Sequence, residues 1–188
     1  MAMDPLDPGL PGRQDPAPGG GWRRFRQGRA FRALRDSLIF LAVLLAVGAW
    51  QTRRHVRGPP PEVALRTLAG EPFAHASLRG KPAMVAFWAP WCGVCKAQSD
   101  NVSRALRLAG GRAHGVSVAA SYEDEAEVRR HVREQGIDVP VLLADDAALG
   151  AFRVEAFPTV YFLDAEGRVK GSAAGYTTTL GMLARLLL

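Results

Sequence analysis

The sequence predicts an α/β domain, with strands and helices alternating around one sheet, preceded by a single membrane-spanning helix. Three observations carry this. Residues 84–89 form a continuous apolar run, as in a strand buried on both faces, and 115–120 read as a second buried strand. Stretches that read as helices alternate with them, 93–108 between the two and the charged, amphipathic 124–135 after the second, the order expected of an α/β sheet. Residues 37–52 form an uncharged, apolar stretch far from both runs.

The chain has 188 residues and a net charge of +6. Such a balance invites a nucleic-acid reading, so the position of the charge matters. Residues 1–57 hold ten Arg and four Asp, whereas residues 58–188 hold 14 basic and 14 acidic residues. The whole surplus belongs to the first third, so a basic nucleic-acid-binding domain is excluded and no nucleic-acid partner is expected.

Residues 1–21 are rich in Pro and Gly and read as disordered. In residues 22–32 Arg alternates with aromatic side chains, as in a juxtamembrane segment, and residues 1–36 together read as a basic cytoplasmic tail. The sixteen residues 37–52 cover about 24 Å as a helix, slightly less than a hydrocarbon core of about 30 Å. Snorkelling Arg and the interfacial Trp50 make up the difference. A cleaved signal peptide is the competing reading, with Val47-Gly48-Ala49 as a cleavage site, but the stretch before it is too long for an n-region. A buried helix of a soluble domain is disfavoured because nothing nearby covers every face. The preferred reading is an uncleaved signal anchor.

Six Arg lie just before the span and three just after it, Arg53, Arg54 and Arg57. The positive-inside rule then puts the N-terminal side in the cytoplasm and the rest of the chain across the membrane. Residues 53–61 end in Gly58-Pro59-Pro60-Pro61 and read as a short stiff linker. The working domain is expected over 62–188.

Within it, 63–68 alternates as a strand and turns at 69–72 into a plausible hairpin. Residues 84–89 form the first buried strand, and 93–108 a helix stopped by Gly110-Gly111. Residues 115–120 form a second buried strand, 124–135 a charged helix ended by Gly136, and 139–143 a short strand. One or two helical turns are expected at 146–152. Residues 160–163 and 168–171 form a hairpin, and 178–188 a closing helix.

The chain has two cysteines, Cys92 and Cys95. Both follow a buried strand and open a helix. Helix N-termini present unpaired N–H groups and a dipole that favours negative charge, which lowers a thiol pKa there. Cys92 is expected to cap the helix, exposed, as the attacking thiolate. Cys95, one turn later on the inner side, is expected to resolve the mixed disulfide. Other readings of the pair exist. A structural disulfide over so short a loop stabilises little. A zinc site needs two more ligands, and His55, His75, His114 and His131 have no ligand-like spacing. Cu(I) held between the two thiolates stands as the alternative function.

The segment Phe87-Trp88-Ala89-Pro90-Trp91-Cys92-Gly93-Val94-Cys95-Lys96 resembles the active-site segment of the thioredoxin superfamily. Phe157-Pro158-Thr159-Val160-Tyr161-Phe162 resembles its cis-proline loop, and residues 163–169 the hairpin that follows. The resemblance covers roughly 62–188. The long interval from Cys92 to Pro158 is similar to that of the membrane-anchored TlpA/ResA-like branch. The Cys-Gly-Val-Cys centre is most similar to the ScsD-type (suppressor of copper sensitivity) disulfide oxidoreductases.

This resemblance implies a thioredoxin-like fold, a central mixed β-sheet flanked by helices, with an extra element between the active-site helix and the cis-proline loop. It implies a thiol-disulfide oxidoreductase without a cofactor or metal, acting on protein thiols and disulfides outside the cytoplasm. A single-pass bacterial inner-membrane location and a membrane redox partner follow. Cys92 becomes the nucleophile, Cys95 the resolver, and Pro158 the cis residue packed against them. The Phe157 backbone binds an extended substrate segment, a form of β-augmentation. Trp91 and Trp88 border the site, although Trp88 also reads as ordinary core. Two positions depart from the pattern. Ala86 stands where thioredoxins carry a buried Asp, and Gln98 where ResA-like reductases carry a Glu. Neither can transfer protons as a carboxylate does. A peroxidase reading fails because no Thr or Ser precedes Cys92 in a position to orient a peroxide.

Overall fold

The computed structural model describes residues 31–43, 45–47 and 56–188. The chain divides into two units, one ending at Leu44 and one running from Leu45 to Leu188. Residues 31–43 form helix α1, and 45–47 are also helical. Their apolar side chains are exposed all round, among them Leu38, Ile39, Phe40, Leu41 and Val43. Of the predicted span at 37–52, Leu44 and residues 48–52 lie outside the described residues, as do the predicted tail at 1–30 and linker residues 53–55. Among the described residues no helix is long and apolar enough to cross a membrane.

In the second unit the described residues form strands β1 (Arg66–Thr67), β2 (Ala83–Trp88), β3 (His114–Ala119), β4 (Val141–Leu143), β5 (Thr159–Leu163) and β6 (Val169–Ala174). Helices α2 (Gly93–Ala109), α3 (Glu125–Glu134), α4 (Asp146–Phe152) and α5 (Thr179–Leu187) connect or close them. The strands make one mixed sheet in the order β1-β4-β3-β2-β5-β6. The central β2, β3 and β4 are parallel, while β5, β6 and β1 run antiparallel to their neighbours.

Strand β2 lies near the middle and is buried at every residue, as its unbroken apolar run requires. Alternate side chains serve opposite faces. Met84 and Ala86 join Val102, Ala105, Val160, Phe162, Met182 and Leu186 under α2 and α5. Val85 and Phe87 join Val118, Phe152 and Tyr161 on the other face, beside α4. Trp88 belongs to a third cluster that contains both cysteines and Val128 of α3.

The helices start where side-chain oxygens accept otherwise unpaired N–H groups. Asp124 accepts from Glu127 N at 2.7 Å, Asp145 from Ala148 N at 2.8 Å, and Thr178 from Gly181 N at 3.1 Å. Helix α2 stops at Gly110, which takes a left-handed conformation with φ 60° that a residue without a Cβ adopts freely.

Some expectations differ from what is found. The strand expected over 63–68 is confined to Arg66–Thr67 and pairs with Leu143 and Leu142. The neighbouring hairpin shrinks to a bridge between Arg66 and Pro72. A 3-10 turn at His75–Leu78 was not foreseen. Strand β6 reaches Ala174, because Ser172, Ala173 and Ala174 pair with Tyr161, Val160 and Thr159. Gly58, in the segment read as linker, exchanges two hydrogen bonds with Val169, at 3.0 and 2.7 Å.

Candidate active site

The site lies where β2 ends and α2 begins. Ala89 is buried, Trp91 projects outward with 65% of its surface exposed, and Cys92 is the residue capping α2. The cap is made by sulfur, since Cys92 Sγ accepts from Cys95 N at 3.1 Å. That bond places the sulfur among the free N–H groups of the first turn, where negative charge is favoured. The first turn of α2 holds no acidic residue to oppose it, and the exposed Lys96 follows Cys95 directly.

Cys92 and Cys95 form a disulfide with a Cα–Cα distance of 5.2 Å. The capping position of Cys92 agrees with expectation, but its exposure does not. Cys92 is only 7% exposed and Cys95 2%. Trp88, Ala89, Val128, Val141 and Leu143 pack around the bridge with them, and Phe157 packs against the same cluster. Val128 of α3 and Val141 and Leu143 of β4 help to cover the sulfurs, a long-range effect that the local pattern does not encode.

Phe157–Pro158 is a cis peptide bond. Pro158 is buried and lines one small cavity together with Cys95. Its carbonyl accepts from Gly175 N at 2.8 Å. The Phe157 and Trp91 rings meet edge to face, with centroids 5.9 Å apart. Trp91 is further held by its Nε1–H, which donates to Ser121 O at 2.8 Å. Ser121 itself has a positive φ of 51°. The structure thus brings two segments that lie far apart in sequence, Trp91 to Cys95 and Phe157-Pro158, together around one disulfide.

Both departures flagged in the sequence lie beside Cys95. Ala86 and Gln98 line the same cavity, whose volume is about 20 Å³. Gln98 is 2% exposed, and its Oε1 accepts from Thr177 N at 2.7 Å. Asn101, one turn on, donates to Thr177 O at 3.0 Å and accepts from Thr179 Oγ1 at 3.1 Å. The polar inner edge of α2 therefore fastens the loop between β6 and α5.

Two residues escaped the sequence reading. Ser117 of β3 accepts from Trp88 Nε1 at 2.6 Å. His131 of α3 is 3% exposed, and its ring stacks on Trp88 with centroids 4.4 Å apart. Its Nε2 is buried without a hydrogen-bond partner. Burial, helped by the charge of Lys96, lowers its pKa below the usual histidine value. The signal for His131 was its spacing with Val128 and Val132 on the inner face of a charged helix. The signal for Ser117 was a hydroxyl in the middle of an apolar strand. Among the described residues no group of three or more His, Cys, Asp and Glu side chains is placed to hold a metal ion.

Residues 56–172 match the AhpC/TSA family. The chain belongs to the AhpC/TSA family. It is similar to the thioredoxin-like protein YneN of Bacillus subtilis, 25% identical over 128 residues, which is 67% of this chain and 75% of YneN. The thiol-disulfide oxidoreductase ResA of Geobacillus kaustophilus is 25% identical over 78% of this chain and 90% of its own. The soluble secreted antigen MPT53 of Mycobacterium tuberculosis is 38% identical over a shorter stretch, 39% of this chain and 44% of that protein. Among solved structures, MTB dsbF superposes with a TM-score of 0.61 at 26% identity, over 68% of this chain and 96% of its own. A thiol:disulfide interchange protein of the thioredoxin family from Chlorobium tepidum gives a TM-score of 0.61 at 28% identity, over 70% and 94%. These matches place the chain in the TlpA/ResA-like branch of the AhpC/TSA family, as a thioredoxin-like thiol-disulfide oxidoreductase with a Cys92–Cys95 pair.

Proposed function

We propose that this protein is a membrane-tethered enzyme that exchanges disulfides with proteins outside the cytoplasm, Cys92 acting as nucleophile and Cys95 as resolver. The observation that carries the reading is the Cys92–Cys95 disulfide at the N-terminus of α2, set against the cis Phe157–Pro158 loop.

In the reducing direction the Cys92 thiolate attacks one sulfur of a substrate disulfide. A Cys92–substrate bond forms, and the other substrate sulfur leaves with the electron pair and takes up a proton. Cys95, deprotonated, then attacks Cys92 Sγ. The Cys92–Cys95 bond forms as the second substrate thiol departs, and two electrons have passed to the substrate. The oxidising direction is the reverse. The relative stability of the two forms of the pair sets the direction, and a membrane redox partner resets it. Trp91 and Phe157 form an apolar rim for the substrate, whose extended backbone lies along the Phe157–Pro158 loop.

The anchor reading rests on the exposed apolar side chains of α1 and on the Arg-rich residues before the span. They support a single pass in a bacterial inner membrane, with the working domain on the far side. There a disulfide persists.

The test is trapping. Cys92→Ala abolishes reduction of insulin disulfides, and Cys95→Ala accumulates mixed disulfides through Cys92. A purified domain that exchanges no disulfides yet binds Cu(I) tightly would overturn this reading in favour of a copper(I)-handling binding module that uses the same two thiolates.

A further inference from the structure

Cys95 is 2% exposed. A thiolate there is a buried charge, costly unless a hydrogen bond favours the ionised form. The two carboxylates that the wider superfamily carries here, which would accept the thiol proton, are absent. Ala86 has no side-chain polar atom, and Gln98 is an amide whose Oε1 accepts from Thr177 N.

The sheet register supplies a substitute. Ala86 of β2 and Ser117 of β3 are direct partners in the parallel pair, so their side chains stand on the same face, beside α2. Ser117 is 5% exposed. Its Oγ accepts from Trp88 Nε1 at 2.6 Å. An indole N–H only donates, so the serine is the acceptor in that bond and keeps its own proton to give. The Trp88 indole is itself held by the stacked His131 ring. Ser117 and Cys95 line one cavity, together with Ala86, Gln98, Ser99 and Pro158. Its volume of about 20 Å³ exceeds the roughly 10–15 Å³ that a single water needs, and Ser117, Ser99 and Gln98 bring polar atoms into an otherwise mostly apolar lining.

We propose that Ser117 is a positioning residue for the resolving step, its hydroxyl oriented by Trp88 so as to donate, through one water in this cavity, to the Cys95 thiolate. This rests on the reading of Cys95 as the resolving cysteine. Ser117 takes up no proton. The proton of Cys95 passes to solvent, Cys95 Sγ bonds to Cys92 Sγ, the bond from Cys92 to the substrate breaks, and the leaving sulfur draws a proton from the same solvent. The effect is opposite in sign to that of a carboxylate. A neighbouring negative charge raises the pKa of a thiol, whereas a hydroxyl donor lowers it.

The test is a thiol titration in the Cys92→Ser background, where Cys95 is the one cysteine, followed by thiolate absorbance. Adding Ser117→Ala shifts the Cys95 pKa upward by about one unit, a tenfold change in ionisation. Ser117→Thr, which keeps the hydroxyl, stays near the parent value. In the protein with both cysteines, Ser117→Ala resolves mixed disulfides about threefold more slowly. A tenfold loss of thiolate is partly offset by the greater nucleophilicity of a higher-pKa thiol, for a Brønsted slope of about 0.4–0.5. An unmoved Cys95 pKa in a Ser117→Ala variant with intact near-ultraviolet tryptophan dichroism overturns the proposal. So does a Ser117→Thr shift as large as that of Ser117→Ala, and this comparison decides the matter if the alanine variant loses its tertiary packing. The titration needs no substrate. A wild-type protein that exchanges no disulfides therefore defeats the functional reading and leaves the Ser117 measurement standing.

Discussion

Gln98 occupies the position from which a ResA-like carboxylate serves the buried thiol, yet its bonds give it a different task. Its Oε1 receives the Thr177 N–H at 2.7 Å, and Thr177 is 7% exposed. Gln98→Leu removes the acceptor and puts an apolar side chain of similar bulk in its place. The buried Thr177 N–H is then unsatisfied, which costs about 1–3 kcal/mol. The loop keeps its second tie, Asn101 Nδ2 to Thr177 O at 3.0 Å, so a loss near 2 kcal/mol is the central expectation. For a domain of this size that corresponds to a fall in Tm of roughly 5–10 °C. Thermal unfolding of the oxidised protein by far-ultraviolet dichroism measures it, and stopped-flow resolution of a Cys92 mixed disulfide measures the chemistry. The reasoning predicts lower Tm with nearly unchanged resolution at permissive temperature. Unchanged Tm with markedly slowed resolution would refute it, and would make Gln98 part of the proton path instead of a loop fastener. Because Gln98 and Asn101 share Thr177, Gln98→Leu and Asn101→Ala together should be non-additive.

Other expectations follow from the same packing. His131 has a folded pKa below its unfolded value because burial disfavours the imidazolium. The unfolded chain therefore binds more protons between the two values, and stability is full above about pH 6.5 and falls as pH drops through that window; His131→Phe, which retains a ring on Trp88, should flatten the dependence in urea titrations between neutral and mildly acid pH. Tyr161 donates its hydroxyl to the Phe152 carbonyl, and burial pushes its pKa up to about 12. Tyr161→Phe should cost about 0.5–1.5 kcal/mol in denaturant unfolding, with no change in the stability profile below pH 10. Trp91, 65% exposed, should contribute little to folding. Trp91→Ala should leave stability within about 1 kcal/mol while slowing exchange with protein disulfides more than with a small disulfide such as oxidised glutathione.

Much of the fold was legible from local pattern. The apolar run that became β2 was readable because a strand buried on both faces admits no polar residue. Helix α4 was foreseen over 146–152 and is found there, with Asp145 capping it. What local pattern misses is set by partners. The segment 63–68 alternates along its whole length, but its neighbour β4 has three residues, and only two of them accept it. Strand β6 runs through Gly171-Ser172-Ala173-Ala174, poor in strand-forming residues, because β5 offers an edge to pair with.

The same distinction applies to the site. The Cys-Gly-Val-Cys motif and the Phe157-Pro158 dipeptide announce themselves as sequence. The burial of Cys92 does not, since Val128, Val141 and Leu143, which surround it, come from α3 and β4. Nor does the role of Ser117, which depends on the register that sets it beside Ala86. His131 is hidden in a helix rich in charge, and only its burial against Trp88 distinguishes it from its charged neighbours.

The central claim is that Cys92–Cys95 is a working redox pair and not a structural bridge. Equilibration of the domain against glutathione or dithiothreitol buffers, with the reduced fraction read by thiol alkylation, tests this most directly. The account predicts a reduction potential between about −270 and −120 mV, the range of catalytic thioredoxin-like pairs. A potential below about −300 mV, typical of structural disulfides, would contradict it.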